Sequence, residues 1–489
     1  WLESKPISNR KFFGLTYISM LVWNVTTTWW IWNASAPGAV GAFLANSLLM
    51  CLPWLGFRIT KKKLGNTPGY LSLIVFWMAF EYIHLQDWGL SWPWLTLGNI
   101  FATHTEWIQW YEYTGVSGGT FWILLVNIFL YLHVYNNFNR QAAKSYKHLL
   151  IAVLLLILPV AISLISSVHK TIPGIKSNIV VVQPNIDPYE KISDGTFETQ
   201  LQKLIQTSET QIDSSTALLV WPETALFTPN GIEEDKMKEN EMLAPLWEFL
   251  KKYPGVTLFT GVESFKRFDQ PTKYSQQYNG QNFEDYNGSV LMDSSGTLAF
   301  YHKSMLVPGV ETLPWFLKFI DKWFEKFGGT TAGYAKQSKR TVLDTKKGYK
   351  IAPAICYESI YGEYMSSYIR NGANIICIIT NDGWWGNTPG YKQHMNYGRL
   401  RAIETRKWVV RSANTGISCF IDIYGFPINQ QPWNKTAAIK LDIPVSNGYQ
   451  TFFVRNGDIL SKAAVAVSIL FLILNLVYWV KRKFISKNN

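Results

Sequence analysis

IAPAICYESIYGE, residues Ile351–Glu363, is an apolar run that ends in a cysteine followed at once by a tyrosine and a glutamate. A cysteine kept for packing is expected between apolar neighbours. Cys356 instead falls where a strand stops and a turn begins, the place where layered α/β domains carry reactive groups on a rigid support. Outward from it the same grammar repeats. NIVVVQ (Asn178–Gln183), ALLVW (Ala217–Trp221), TLFTGV (Thr257–Val262), SVLMD (Ser289–Asp293), KIAPAI (Lys350–Ile355), NIICIIT (Asn374–Thr380), WVVRSA (Trp408–Ala413) and ISCFIDI (Ile417–Ile423) read as strands. Helical periodicity covers Phe197–Gln211, Glu239–Lys252 and His394–Arg406. The alternation predicts an α/β layered domain over 168–458, long enough to bury its own core.

The flanks are different in kind. Hydrophobic residues make up 48% of the chain and charged residues only 16%, below the usual quarter of a soluble domain, and 22 tryptophans suit interfacial belts. Runs near Phe12–Trp32, Ala39–Phe57, Tyr70–His84, Val116–Tyr135, Leu149–Ile165 and Ala463–Val480 are expected to span a bilayer. This divides the chain into an N-terminal transmembrane bundle (1–167), the α/β domain (168–458) and a last span with its tail (459–489). Lys and Arg gather before the first span, after the second, between the fourth and fifth, and after the last; the loops Asn33–Gly38 and Leu85–Gly115 have none. By the positive-inside rule both ends are expected in the cytoplasm and the large domain outside it. Because the chain opens on Trp1, its native start and an even number of further spans are expected upstream.

Charge excludes one class of partner. The net charge is +12, but 168–457 holds 31 Lys and Arg against 28 Asp and Glu. The excess belongs to the membrane loops, so no nucleic acid is expected. Cys51, Cys356, Cys377 and Cys419 form no C-x-x-C pair, so no metal or cofactor is called for. Cys377 and Cys419, inside apolar runs, read as core.

Three strand ends carry reactive groups: Glu223 in LLVWPET, Lys303 in LAFYHKSMLVPG and Cys356 in PAICYES. A thiol near its ordinary pKa is a poor nucleophile until a base takes its proton. A carboxylate can be that base, and an ammonium can steady the thiolate and then an oxyanion. The Tyr357 N–H would point at the same oxyanion. Taken singly, a glutamate after a proline is usually a turn residue and a lysine is usually solvated.

Together, WPET, YHKSMLVPGVE and CYES resemble the nitrilase (carbon–nitrogen hydrolase) superfamily and its Glu-Lys-Cys triad. With WPWLTLGN (Trp92–Asn99), NDGWWGNTPGYKQHMNYGRLRAIETRKWVVRSANTGIS (Asn381–Ser418) and TFFVRNGD (Thr451–Asp458), nearly the whole chain resembles the bacterial apolipoprotein N-acyltransferases. One motif departs: the family's QGN is QPN here (Gln183–Asn185), with Tyr189 the candidate for the aromatic that follows. The resemblance implies an α-helical transmembrane bundle with a nitrilase-like αββα sandwich outside the cytoplasm, in the inner membrane. It implies a monomeric ping-pong acyltransferase that moves an acyl chain from a glycerophospholipid to the N-terminal diacylglyceryl-cysteine of an apolipoprotein, through a thioester on Cys356. Glu223 would be the base, Lys303 and Tyr357 the oxyanion donors, and Glu311 and Glu358 supporting carboxylates. A membrane-anchored amidase, with water in place of the amine, is the alternative. After Glu311, Trp315, Phe316, Phe319, Trp323 and Phe327 alternate with Lys318, Lys322 and Lys326 at helical spacing, which predicts an interfacial amphipathic arm. Trp315, Phe316, Trp384 and Trp385 are the candidates for substrate contact.

Overall fold

The computed structural model describes residues 2–138, 146–167, 172–189, 196–228, 230–312, 319, 333–345, 347–446 and 448–485. The chain forms two compact units, one of Trp1–Trp29, Gly38–His169 and Asn456–Asn489, the other of Trp30–Pro37 and Lys170–Arg455.

The first unit is helical: α1 (Asn9–Thr28), α2 (Ala36–Leu64), α3 (Asn66–His84), the single turn α4 (Tyr111–Thr114), α5 (Val116–Phe138), α6 (Lys147–Ser167) and a closing helix Ile459–Ile485. Among the described residues, Ala36–Leu64, Val116–Asn137, Lys147–Ser166 and Ile459–Phe484 are long and apolar enough to cross a membrane. The first and third expected spans are helices as well, but less apolar: α1 carries Asn24 and Thr26–Thr28, and α3 carries Glu81. Much of the apolar surface of α6 and of the closing helix is exposed, as lipid-facing surface must be. Inside the bundle, polar groups satisfy one another. Glu81 accepts from Trp77 Nε1 at 2.9 Å, Leu97 N–H at 2.8 Å and Thr120 Oγ1 at 2.6 Å.

Arg58 behaves differently from a loop cation. It is buried, and it donates to the carbonyls of Glu3 (3.0 Å) and Ile7 (2.5 Å), while Lys61 pairs with Glu3. Its charge therefore ties down the N-terminal segment.

The second unit is a two-sheet sandwich of fourteen strands among the described residues. They are β1 (Ile175–Gln183), β2 (Thr216–Val220), β3 (Ile232–Glu233), β4 (Thr257–Phe268), β5 (Gln276–Tyr278), β6 (Gln281–Asp293), β7 (Leu298–His302), β8 (Leu343–Asp344), β9 (Lys350–Ile355), β10 (Ile375–Thr380), β11 (Val409–Ala413), β12 (Cys419–Ile421), β13 (Pro427–Ile428) and β14 (Ala437–Val445). One sheet runs β14-β1-β2-β4-β6-β5, with β3 on β4 and β7 on β6; the other runs β13-β12-β11-β10-β9-β8. The central pairs β1–β2, β2–β4, β9–β10 and β10–β11 are parallel, and their strands are buried through most of their length, as a sheet covered on both faces requires. The sheets meet where Ser412 of β11 donates to the Val182 carbonyl of β1 at 2.8 Å. Helices α7 (Thr196–Glu209) and α8 (Ala244–Lys252) cover the outer face of the first sheet, with Leu204, Leu246 and Leu250 packed among Val180, Leu219 and Leu258. Helices α9 (Gly362–Arg370) and α10 (Pro389–Thr405) cover the second. A side chain at Gly398 of α10 would press on Ile421 at 3.2 Å and Ile378 at 3.3 Å, so the helix lies tight on its sheet. The order is αββα, as expected.

Candidate active site

Three strand ends bring chemistry with them: those of β2 and β9, each paired in parallel, and that of β7, antiparallel on β6. β2 stops at Trp221-Pro222, since proline offers no N–H to continue a ladder. The turn delivers Glu223. Strand β4 passes so close beneath that a Cβ on Gly261 would sit 2.6 Å from Glu223 Cα, so only glycine fits there. β7 delivers Lys303, and β9 delivers Cys356 at the start of a 3₁₀ turn, Cys356–Ile360.

Lys303 is fully buried, its ammonium 2.7 Å from Glu311 Oε1 and 3.4 Å from Glu223 Oε1. Burial works against that charge, but Glu311 and Glu223 outweigh it and hold the ammonium above the ordinary lysine range. Asn287 of β6 bridges the two carboxylates, donating to Glu223 at 2.9 Å and Glu311 at 3.0 Å. The second oxygen of Glu223 accepts the Asn381 N–H at 3.0 Å, and that of Glu311 the Val307 N–H at 2.8 Å. Each carboxylate is thus fixed at both oxygens.

Cys356 is half-buried and has a left-handed backbone, φ 52°. For a residue with a side chain that conformation is strained, and it lifts the thiol out of the strand line. Burial and the charge of Glu223 push the thiol well up; Lys303 pulls it part of the way back. The resting group is therefore a thiol beside a carboxylate, with a cation in range, which is the arrangement for proton removal at the moment of attack.

Glu358 holds the backbone beside both Lys303 and Cys356. One of its oxygens accepts from Tyr301 and Tyr364 hydroxyls, each at 2.7 Å, and from Ser304 N–H at 2.7 Å; the other accepts Ile355 N–H at 2.8 Å. It pins the ends of β7 and β9 to one another. Tyr357 is buried against Tyr361. Trp384 is partly exposed and meets Tyr189 edge-on at 5.2 Å, while Trp385 packs between buried Trp30 (4.9 Å) and His394 (5.4 Å). Trp315 and Phe316, with most of the expected amphipathic arm, lie outside the described residues; Phe319 is exposed.

Sequence reasoning did not find Asn287, the Asn381 N–H, or a buried set behind Cys356, namely Asp382, His394 and Arg411. Asp382 lies 2.8 Å from Arg411 and 2.9 Å from His394, and despite burial these partners hold its carboxyl below the usual range. All three lie within the long Asn381–Ser418 motif, so the signal was in hand without assignment to residues.

Residues 179–451 match the carbon–nitrogen hydrolase family model, and residues 1–129 match the apolipoprotein N-acyltransferase N-terminal domain. The chain is similar to apolipoprotein N-acyltransferases of Chlorobaculum tepidum (28% identical, covering 94% of this chain and 86% of the relative) and Rickettsia prowazekii (30%, covering 84% and 76%). A third, from Geobacter metallireducens, is 28% identical over 94% of this chain and 85% of its own. A sandwich with a carboxylate, an ammonium and a thiol at converging strand ends, joined to a helical unit that matches the family's own N-terminal domain, makes this chain a member of the apolipoprotein N-acyltransferase family.

Proposed function

We propose that this enzyme acylates the α-amine of an N-terminal diacylglyceryl-cysteine on apolipoproteins, with a glycerophospholipid as donor and a thioester on Cys356 as intermediate. The observation that carries the reading is the convergence of Glu223, Lys303 and Cys356 from three separate strands. Glu223 takes the thiol proton as sulfur attacks the ester carbonyl. Negative charge develops on the carbonyl oxygen, facing Lys303 and the Tyr357 N–H. The ester C–O bond breaks, the lysophospholipid leaves with the proton from Glu223, and the acyl group stays on sulfur. The lipoprotein amine then attacks the thioester, Glu223 takes its proton, and the thiol is restored. Glu311, bonded to Lys303 and sharing Asn287 with Glu223, keeps the ammonium in place between turnovers.

The four apolar helices suit a donor that never leaves the bilayer. The Lys61–Lys63 cluster is tied to both chain ends within the helical unit: Lys61 pairs with Glu3, and Lys63 donates to the Asn475 carbonyl at 2.9 Å. This supports one shared cytoplasmic face for those segments; by the positive-inside rule the catalytic unit is read on the periplasmic side of the inner membrane, and the protein as a monomer.

The test is incubation of the detergent-purified chain with acyl-labelled phospholipid. Hydroxylamine-labile label should accumulate on Cys356, be absent from Cys356→Ala, and pass to a diacylglyceryl-cysteinyl peptide with a free amine. Steady release of free fatty acid with no transfer to that amine would make the protein a hydrolase and sink the reading.

A further inference from the structure

The peptide joining Cys356 to Tyr357 has two polar edges. In the mechanism above its N–H faces the oxyanion. Its other edge, the Cys356 carbonyl, is bound from behind. The Ser359 hydroxyl donates to it at 2.8 Å, and His394 Nε2 lies 3.1 Å away. A carbonyl oxygen carries no proton, so the ring can hold it only through an Nε2–H; the Ser359 hydroxyl, 3.1 Å from the same nitrogen, is the other partner open to Nε2.

The imidazole is in turn held on every side. Its Nδ1 is 2.9 Å from Asp382 Oδ1 and 3.2 Å from Arg411. Asp382 also takes the Thr380 hydroxyl at 2.9 Å, and Arg411 on its other oxygen at 2.8 Å. The side chains of Asp382, His394 and Arg411 are wholly buried. Trp385 lies edge-on to the ring at 5.4 Å.

The Thr380 hydroxyl also bonds the Cys356 thiol, and the charge of Asp382 is felt there; His394 and Ser359 act instead on the peptide behind it. Their leverage comes from peptide geometry. A planar trans peptide points its C=O and N–H in opposite directions, so fixing the oxygen fixes the line of the hydrogen. That matters here because Cys356 is held at φ 52°, a conformation that a side-chain-bearing residue leaves readily unless it is restrained. We propose that His394, with Ser359, is a positioning residue: it aims the Tyr357 N–H at the oxyanion by anchoring the opposite edge of the same peptide, and Asp382 and Arg411 lock its ring. The proposal rests on the thioester reading above.

Two reactions of the same sulfur separate this role from a merely structural one. Acylation by labelled phosphatidylethanolamine–phosphatidylglycerol micelles builds an oxyanion; alkylation by iodoacetamide does not. In the full chain in detergent, His394→Phe should slow acylation about 100-fold, the scale of a lost oxyanion donor, and leave alkylation at the wild-type rate. His394→Gln, whose amide N–H can replace Nε2–H, should recover much of the loss. Ser359→Ala removes the smaller donor and should cost about tenfold in acylation alone; it decides the matter if His394→Phe does not fold. Parallel losses in both reactions, or undiminished acylation in the folded variants, would overturn the proposal. A wild-type enzyme that alkylates but takes no acyl label would instead fail the thioester reading, and this proposal with it.

Discussion

At the scale of single residues, the charge balance around Cys356 sets its pH behaviour. Burial and Glu223 raise the thiol, and Lys303 lowers it. Alkylation needs thiolate. Lys303→Met keeps most of the stem, removes the charge, and should move the alkylation profile of Cys356 to higher pH; Glu223→Gln should move it to lower pH. The same Lys303→Met should cut acylation by roughly 10²–10³, the cost of an oxyanion donor. A profile that stays put in both variants would remove Glu223 and Lys303 from contact with the sulfur. The other cysteines offer a control. Cys377 and Cys419 are fully buried in β10 and β12, and burial pushes their thiols up, to about 12 for Cys419. Cys377→Ser and Cys419→Ser should keep the acyl label, at a packing cost. Loss of label from a folded Cys377→Ser would refute the choice of nucleophile. Cys356 was legible in the sequence because a thiol beside polar residues breaks an apolar run. Asn287 was not, because it precedes the apolar run Ser289–Asp293 and shows its place only once β6 extends through it and Glu223 and Glu311 arrive from other parts of the chain.

At the scale of elements, strand identity was readable where a strand is buried on both faces. The central runs NIVVVQ, ALLVW, KIAPAI, NIICIIT and WVVRSA all became strands. β14 did not declare itself, although it pairs with β1 over the whole register from Ile175↔Val445 to Gln183↔Ala437. It is an edge strand with Lys440, Asp442 and Pro444 in it, and such residues protect edges while hiding their periodicity. β3, β8 and β13 are two residues each and lie below any pattern. The crossing of β4 under the Glu223 turn yields a prediction about an element with no catalytic group. A Cβ at Gly261 would lie 2.4 Å from Thr224 N and 2.6 Å from the Pro222 carbonyl, both rigid backbone. Gly261→Ala must therefore displace the turn that carries Glu223. Misplacement of about 1 Å can cost on the order of 10² in rate. The variant should remain folded by circular dichroism and be poor in acylation. Wild-type rates in Gly261→Ala would show that the turn tolerates movement and that the position of Glu223 is not critical.

At the scale of the whole molecule, the division into an apolar flank and an α/β domain was plain from composition, while the depth of each helix was less so. α1 and α3 are helices of 20 and 19 residues with buried polar groups, Asn24 and Thr28 in the one and Glu81 in the other; Asn24 donates to the Met20 carbonyl and Glu81 collects three donors. A hydropathy reading cannot tell a polar group satisfied within a bundle from one that ends a span. Arg58 was counted with the loop charges, yet it is spent on the carbonyls of the N-terminal segment. Orientation therefore rests on Lys5, Arg10 and Lys11, Lys61–Lys63, Lys147 and the tail Lys481–Lys483, and it can be tested directly. In a Cys356→Ala background the remaining native thiols are buried, so a new cysteine reports alone. Asn279→Cys, at the exposed turn between β5 and β6, should react with a membrane-impermeant maleimide added to cells with a permeable outer membrane. Lys62→Cys and Lys147→Cys should react only after the inner membrane is opened. The reverse pattern would turn the protein over. It would place Cys356 on the cytoplasmic side, where a donor phospholipid is equally at hand, so the proposed periplasmic site rests on the positive-inside asymmetry and not on donor supply.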